Sequence, residues 1–290
     1  MDPTATFEQE RPRLKRLAYR MLGSVSEAED VVQDAWLRWD RAGATADNPG
    51  AWLVQATTRL CLDRLKSARA RRETYVGPWL PEPLIEEIAD DPVERAEDVS
   101  VAFLLALERL SPLERAVFLL HDVFDQDYAA VGAVLGKSEP AVRQLASRAR
   151  SHIRDARPRF AVPRDRAMRL AAAFMQAAAA QDMDALSALL AEDAIMITDG
   201  GGKRPAALRP LVGREDVLAL LRGVWGRKGF PVPTSARPVL INGAPGVVMA
   251  LADGLQTMAF EADAEGRLAA IYVMRNPDKL GHVRPGPNVD

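Results

Sequence analysis

Arginine, glutamine and serine recur on one side of the stretch from Glu139 to about Arg154, as Arg143, Gln144, Ser147, Arg148 and Arg150. The chemistry open to that set is hydrogen bonding to nucleic acid. Arginine suits a guanine edge and glutamine an adenine edge, while serine and further arginines suit phosphate oxygens. The plainer alternative is a solvated basic face on an ordinary helical hairpin. Local signals favour the first reading. Asp127 can cap a short helix, Tyr128 to Leu135, which Gly136 ends; Ser138 can cap the next, with Pro140 tolerated in its first turn. Two helices joined by Gly136-Lys137-Ser138 match a helix-turn-helix, whose second helix enters the major groove.

A second basic stretch, Arg59 to Arg72, holds six cations (Arg59, Arg64, Lys66, Arg69, Arg71, Arg72) against Asp63 alone. Trp52, Thr57 and Thr58 stand just before it, and rings beside basic side chains suit stacking on unpaired bases. Trp36 and Trp39 instead fall on an apolar stripe and read as core. A membrane surface could attract such a basic face, but its apolar side is needed against the upstream helices. Asp199-Gly200-Gly201-Gly202-Lys203 invites a phosphate-loop reading. Ile197 and Arg204 stand where that loop needs glycine and a hydroxyl, so a turn between strands is expected.

Other chemistries find little support. One cysteine, Cys61, excludes an internal disulfide, and His121, His152 and His282 have no metal-ligand spacing; nothing calls for a metal or cofactor. Asp193, Asp199 and Asp253 are available as bases, yet only Tyr272 and His282 offer aromatic donors beside them. No enzymatic activity is expected.

The elements that must position these residues follow from pattern. Over 290 residues two or three domains are expected, and a net charge of −2 leaves room for a locally basic face. Charge runs in blocks: the basic stretch above, then eight acids against Arg95 from Glu82 to Asp98, then seven cations against Glu139 and Asp155 from Lys137 to Arg159. Leu14, Leu17, Ala18, Met21 and Leu22 recur at helical spacing. Ser26 with Glu29 reads as a capping box opening a second helix, and a third starts near Pro49. Pro78, Pro81 and Pro83 make 77–83 a linker. Val99 to Leu110 is a strongly apolar helix, and Ser111-Pro112-Leu113-Glu114 caps the next. Beyond Pro158–Pro163, helices over Arg166–Ala180 and Met183–Leu190 precede short strands separated by glycines. The first twenty residues are broken by charges, and Leu170–Ala180 is too short to span a bilayer, so a soluble cytoplasmic protein is expected.

These residues carry a resemblance. Glu29-Asp30-Val31-Val32-Gln33-Asp34-Ala35-Trp36 resembles the polymerase-binding helix of bacterial RNA polymerase sigma factors. Pro49-Gly50-Ala51-Trp52-Leu53 through Leu60-Cys61-Leu62-Asp63-Arg64-Leu65 resembles their promoter-melting and −10-reading segment. Leu110 to Arg115 and the helix-turn-helix resemble the domain reading the −35 element. The extracytoplasmic-function (ECF) type is the most similar. Trp79-Leu80-Pro81, Asp199 to Lys203 and Asn276-Pro277-Asp278-Lys279-Leu280 further resemble the SigJ-like subgroup, which carries a C-terminal SnoaL-like domain.

The resemblance implies two all-α sigma domains, the second with the helix-turn-helix, followed by an α+β cone of the NTF2/SnoaL-like fold. Residues 6–72 would form region 2, 73–94 the linker, 95–157 region 4 and 165–290 the SnoaL-like domain. It implies that Asp30, Gln33 and Asp34 meet the polymerase clamp, that the segment from Arg41 to Trp52 helps hold the −10 bases, and that Arg59, Arg64 and Lys66 lie along promoter DNA. Arg143, Gln144, Ser147 and Arg148 would read the −35 element. Trp79, Leu80, Pro81, the 199–203 loop and the 276–280 segment would join the tail to the sigma core and regulate it in cis, and the tail could take a small-molecule ligand. The competing reading is a ligand-sensing helix-turn-helix regulator that recruits no polymerase.

Overall fold

The computed structural model describes residues 3–42, 46–88, 100–154, 162–226 and 233–285. The middle of the Arg41–Trp52 segment, much of the acidic run to Asp98, the basic run beyond Arg154, and the side chains of Arg69, Arg71 and Arg72 lie outside them. Two compact units emerge, Met1–Thr74 with Ala102–Arg157, and Tyr75–Val101 with Pro158–Asp290.

In the first unit, helices α1 (Pro3–Leu22), α2 (Val25–Ala42) and α3 (Pro49–Glu73) pack through Leu14, Leu17, Met21, Val31, Ala35 and Leu53, all buried. Trp39 Nε1 donates to Pro3 O at 2.9 Å, and its ring lies 5.5 Å from that of Trp52, so this indole ties the end of α2 to both neighbours. The start of α2 corrects the expected Ser26 cap. Gly23, at φ 68°, turns the chain out of α1, and Ser24 Oγ then accepts from Glu27 N at 3.1 Å. The same Ser-x-x-Glu spacing occurs two residues earlier; Glu29 pairs with Lys15 at 2.8 Å.

Helices α4 (Val101–Glu108), α5 (Pro112–Phe118), α6 (Tyr128–Leu135) and α7 (Glu139–Arg154) follow, with one wide turn at Leu119–Val123 extending α5. The expected α5 capping box forms: Ser111 Oγ accepts from Glu114 N, and Glu114 Oε2 from Ser111 N at 3.0 Å. Arg115 is buried and donates to Met21 O at 2.7 Å and to Glu108 Oε1 at 2.8 Å. It thereby satisfies a carbonyl that the end of α1 leaves orphaned. Burial pushes the Arg115 pKa down to about 10, still well above neutrality, so the cation persists.

The second unit holds α8 (Arg164–Ala180), α9 (Met183–Leu189), α10 (Arg214–Trp225) and strands β1 (Ile85–Glu86), β2 (Leu190–Asp199), β3 (Leu211–Val212), β4 (Ser235–Ile241), β5 (Ala244–Leu251), β6 (Gly254–Ala262) and β7 (Leu268–Met274). Among the described residues they form one sheet in the order β1-β4-β5-β6-β7-β2-β3, with β2 and β7 parallel and the other pairs antiparallel. Phe174 of α8 meets Phe260 of β6 at 5.4 Å within a core that also holds Leu186, Leu190, Val217, Met249 and Ile271. Helices packed on one sheet give this unit the α+β architecture expected of the tail. Residues expected as linker are part of it: Ile85 pairs with Ile241, and Leu84 O accepts from Asn242 N at 2.9 Å.

Candidate nucleic-acid and polymerase interfaces

The turn between α6 and α7 is built from its glycines. Gly136 takes φ 63° and closes α6 onto Gly132 O. A Cβ on Gly132 would stand 2.7 Å from Lys137 O, so only glycine lets the turn come this close. On the far side, Val142, Leu145, Ala146, Ala149 and Ile153 are buried. That leaves Arg143, Gln144, Ser147, Arg148 and Arg150 exposed together on α7. The arginines are already partnered: Arg143 by Glu139, Arg148 Nε by Glu114 Oε1 at 3.0 Å, and Arg150 Nε by Asp122 Oδ1 at 2.6 Å. Burial raises the Glu114 carboxyl, but bonds from Ser111 and Arg148 outweigh it and hold the group below the usual carboxylate value. The Glu139 and Asp122 contacts raise the pKa of Arg143 and Arg150 further.

On α2, Asp30 and Gln33 are exposed and Asp34 half-exposed. Arg64 of α3 reaches both acids, Nη1 to Asp30 at 3.3 Å and Nη2 to Asp34 at 3.2 Å. The structure therefore joins a residue expected on DNA to two expected on polymerase. Arg59 is exposed, Lys66 pairs with Asp63 at 2.9 Å, and Trp52 is half-buried against Trp39. Thr57 and Thr58 are buried, and Thr58 Oγ1 donates to Val54 O at 2.7 Å. Cys61 is buried as well, and burial pushes its thiol pKa up.

Within the second unit the three remaining motifs converge on one carboxylate. Asp199, at the end of β2, is fully buried and accepts from Tyr75 OH at 2.5 Å, Leu80 N at 2.8 Å, Lys279 Nζ at 2.7 Å and Gly201 N at 3.0 Å. Lys279 Nζ also donates to Leu80 O at 2.6 Å and sits over the rings of Tyr75 (4.7 Å) and Trp79 (4.2 Å). Asn276 Nδ2 donates to Tyr75 OH at 2.7 Å, and Lys203 pairs with Asp278 at 2.6 Å. Gly201 and Gly202 take φ 58° and 71°, and a Cβ on Gly200 would strike Arg204 O. Pro277–Lys279 form a short turn, and Pro81 and Leu280 are buried beside it. Burial, then the bond to Asp199, pushes the Tyr75 hydroxyl pKa up.

Sequence reasoning did not single out Tyr75, which lies 124 residues from Asp199 and 201 from Asn276. It also missed Glu114, Asp122 and Tyr128 as partners of the α7 arginines; the acids were legible as charges, their pairing was not. Of the candidate bases, Asp193 is exposed, Asp253 pairs with Arg275 at 2.8 Å and Asp199 is held as described. Tyr272 OH donates to Glu261 at 3.3 Å. No group of three or more metal-ligating side chains is found among the described residues, and no described helix is long and apolar enough to cross a membrane.

Residues 6–71 match the family described as Sigma-70 region 2, and residues 100–153 match Sigma-70, region 4. The chain is 41% identical to the ECF RNA polymerase sigma factor SigJ of Mycobacterium tuberculosis over 287 residues, 94% of this chain and 92% of the relative. It is 32% identical to the probable ECF RNA polymerase sigma factor SigI of the same species, over 98% of this chain and 97% of that one. The crystal structure of Mycobacterium tuberculosis SigJ superposes with a TM-score of 0.78 at 36% identity, covering 96% of this chain and 98% of that one.

Proposed function

The chain belongs to the ECF RNA polymerase sigma factors, and from that premise we propose how its parts divide the work of binding core RNA polymerase and promoter DNA. Asp30, Gln33 and Asp34 of α2 meet the polymerase clamp. Trp52, Arg59, Arg64 and Lys66 handle the −10 region, with Arg64 exchanging its carboxylates for phosphate. Arg143 and Gln144 read base edges at −35, while Ser147 and Arg148 take backbone contacts. The protein acts in the cytoplasm and makes or breaks no covalent bond itself.

The observation that carries this reading is one capped helix-turn-helix with a polar, arginine-bearing α7 in the same unit as an exposed acidic α2 face. Arg64 occupies only part of the acidic face, and the rest, Gln33 included, stays open to a protein partner that a purely DNA-binding regulator does not need.

The SnoaL-like domain regulates in cis. Residues 75–86 lie between the two sigma regions, and Asp199 and Lys279 hold them to the sheet domain. A tail that grips or releases this segment controls how far the two DNA-binding regions reach apart. The apolar core between α8 and the sheet is where a small hydrophobic ligand would act on that grip.

Transcription by purified core polymerase on the promoter of the chain's own operon tests the reading. Defined start sites are expected only with the protein present, and substitution of Asp30 and Asp34 lowers core binding. Chains ending at 160, 275 and 281 test regulation in the same assay; equal transcription by all three and the full chain overturns it. Retained binding to duplex DNA with none to core polymerase favours the stand-alone regulator. A rise in Tm with hydrophobic compounds tests the ligand.

A further inference from the structure

Tyr128 opens α6 directly after its cap, Asp127, whose Oδ1 accepts from Ala130 N at 2.7 Å. Its ring stacks on His121, with centroids 3.9 Å apart and planes 27° apart, and His121 is itself held by Nδ1 on Gln126 O at 2.6 Å. The ring is therefore fixed by its own domain, independently of DNA. Two arginines of α7 lean on it. The guanidinium of Arg143 lies 5.0 Å from the ring centroid, and Arg150 Nη2 donates to the Tyr128 hydroxyl at 3.3 Å while Nε is held by Asp122. These arginines are seven positions apart, two turns along one face of α7, and both reach to the one ring.

An exposed arginine samples many rotamers, and a bidentate contact with guanine needs one of them. Glu139 holds Nε and Nη2 of Arg143 until a base displaces it, and the ring under the guanidinium keeps the side chain from its other rotamers as that exchange occurs, which is how preorganisation raises discrimination. We infer that Tyr128 is a positioning residue for promoter reading: its ring, fixed by the stack on His121, holds Arg143 in the orientation that meets a guanine edge. This rests on the proposed reading of α7 as the −35 helix. Tyr128 itself touches no base.

The test uses holoenzyme reconstituted from core polymerase and the full chain. Templates are the own-operon promoter and copies in which each G·C pair of the −35 element is changed singly to A·T. The quantity read is the ratio of start-site transcript from the parent to that from each copy. Arg143→Ala is expected to abolish discrimination at one position. At that same position Tyr128→Leu lowers it about two- to fivefold, the size of a solvent-exposed cation–π contact, and Tyr128→Phe keeps it. The double variant R143A/Y128L loses no more than R143A alone. A merely structural Tyr128 lowers transcript from every template alike and leaves the ratios unmoved, which overturns the inference. Loss of discrimination in R143A with wild-type ratios in Y128L also overturns it, while base reading by Arg143 stands. Wild-type ratios in R143A remove the −35 reading through Arg143 and the inference with it. Circular dichroism melts confirm folding; should Y128L not fold, Y128Q at this half-buried site makes the same comparison with Y128F.

Discussion

Asp199→Asn is the substitution that most directly probes how the 75–84 segment is held. Asp199 is fully buried, and Lys279, whose ammonium it neutralises, is buried too. With its oxygen kept on Tyr75 OH and Gly201 N, the amide turns an NH2 donor toward both Lys279 and Leu80 N; turned the other way, its oxygen meets Lys279 without a charge. A buried cation without its carboxylate then remains between the Tyr75 and Trp79 rings. Removing one partner of a buried pair costs about 3–5 kcal/mol. For a unit of this size each kcal/mol shifts the midpoint by about 2–4 °C, so calorimetry of the full chain should show one transition lowered by about 6–20 °C. Lys279→Met is milder, because Asp199 keeps Tyr75, Leu80 and Gly201 as donors and the thioether fills the gap between the rings. The double variant D199N/K279M recovers at least half the loss, since no unpaired charge is left inside. A midpoint for D199N within about 3 °C of wild type, or a double variant no better than D199N, refutes the claim that this ion pair anchors the segment.

Other consequences concern the first unit. Because the folded Glu114 pKa is depressed, its contribution to stability is present above the unfolded value and is lost as pH falls through the folded one. Glu114→Gln should therefore be less stable than wild type at neutral pH, and the gap should narrow as pH falls below the ordinary carboxylate range in denaturant titrations; parallel curves across the titration count against the assignment. Cys61, buried with its thiol pKa pushed up chiefly by desolvation, should be inert to Ellman's reagent until the first unit unfolds, and prompt labelling of native protein contradicts this burial. Gly132→Ala puts a methyl against Lys137 O and should cost about 1–3 kcal/mol with loss of promoter binding. Gly136→Ala meets nothing within 4 Å and should cost only the αL strain of about 1–2 kcal/mol, leaving binding intact. Comparable binding defects in both glycine variants refute the close-approach argument.

What could be read from the sequence was mostly local. The Ser111–Glu114 box, the Asp127 cap and the Gly136 turn each depend on groups within five residues, and α6 and α7 run over Tyr128–Leu135 and Glu139–Arg154 as their punctuation implied. Where two local signals overlapped, as at Ser24 and Ser26, only the φ of Gly23 decides between them. Helix α10 escaped notice because Gly213 precedes it at φ 95° with no side-chain cap, so the usual start signal is missing. Strand β1 is two residues long, too short for alternation, and exists because Ile241 and Leu240 supply its partners more than 150 residues away. The Asp199 cluster was visible as three motifs; that they share one carboxylate with Tyr75 is a property of the folded sheet.

The arginines on the proposed DNA faces also bear on the near-zero net charge. Arg64 is held by Asp30 and Asp34, Arg143 by Glu139, Arg148 by Glu114 and Arg150 by Asp122. In each pair the arginine itself is exposed or half-exposed, where water and salt compete with the carboxylate, so none is locked away. Collectively they matter differently. Non-specific attraction to DNA comes from uncompensated cations, and each of these four arginines must first give up a carboxylate to enter a phosphate contact. The exchange is nearly neutral at any random site, where only phosphate replaces carboxylate. It becomes favourable where base edges add bonds of about 1–3 kcal/mol each to Arg143 and Gln144. A face neutralised from within therefore trades raw affinity for discrimination, which suits a protein of net charge −2 that must find few sites among many.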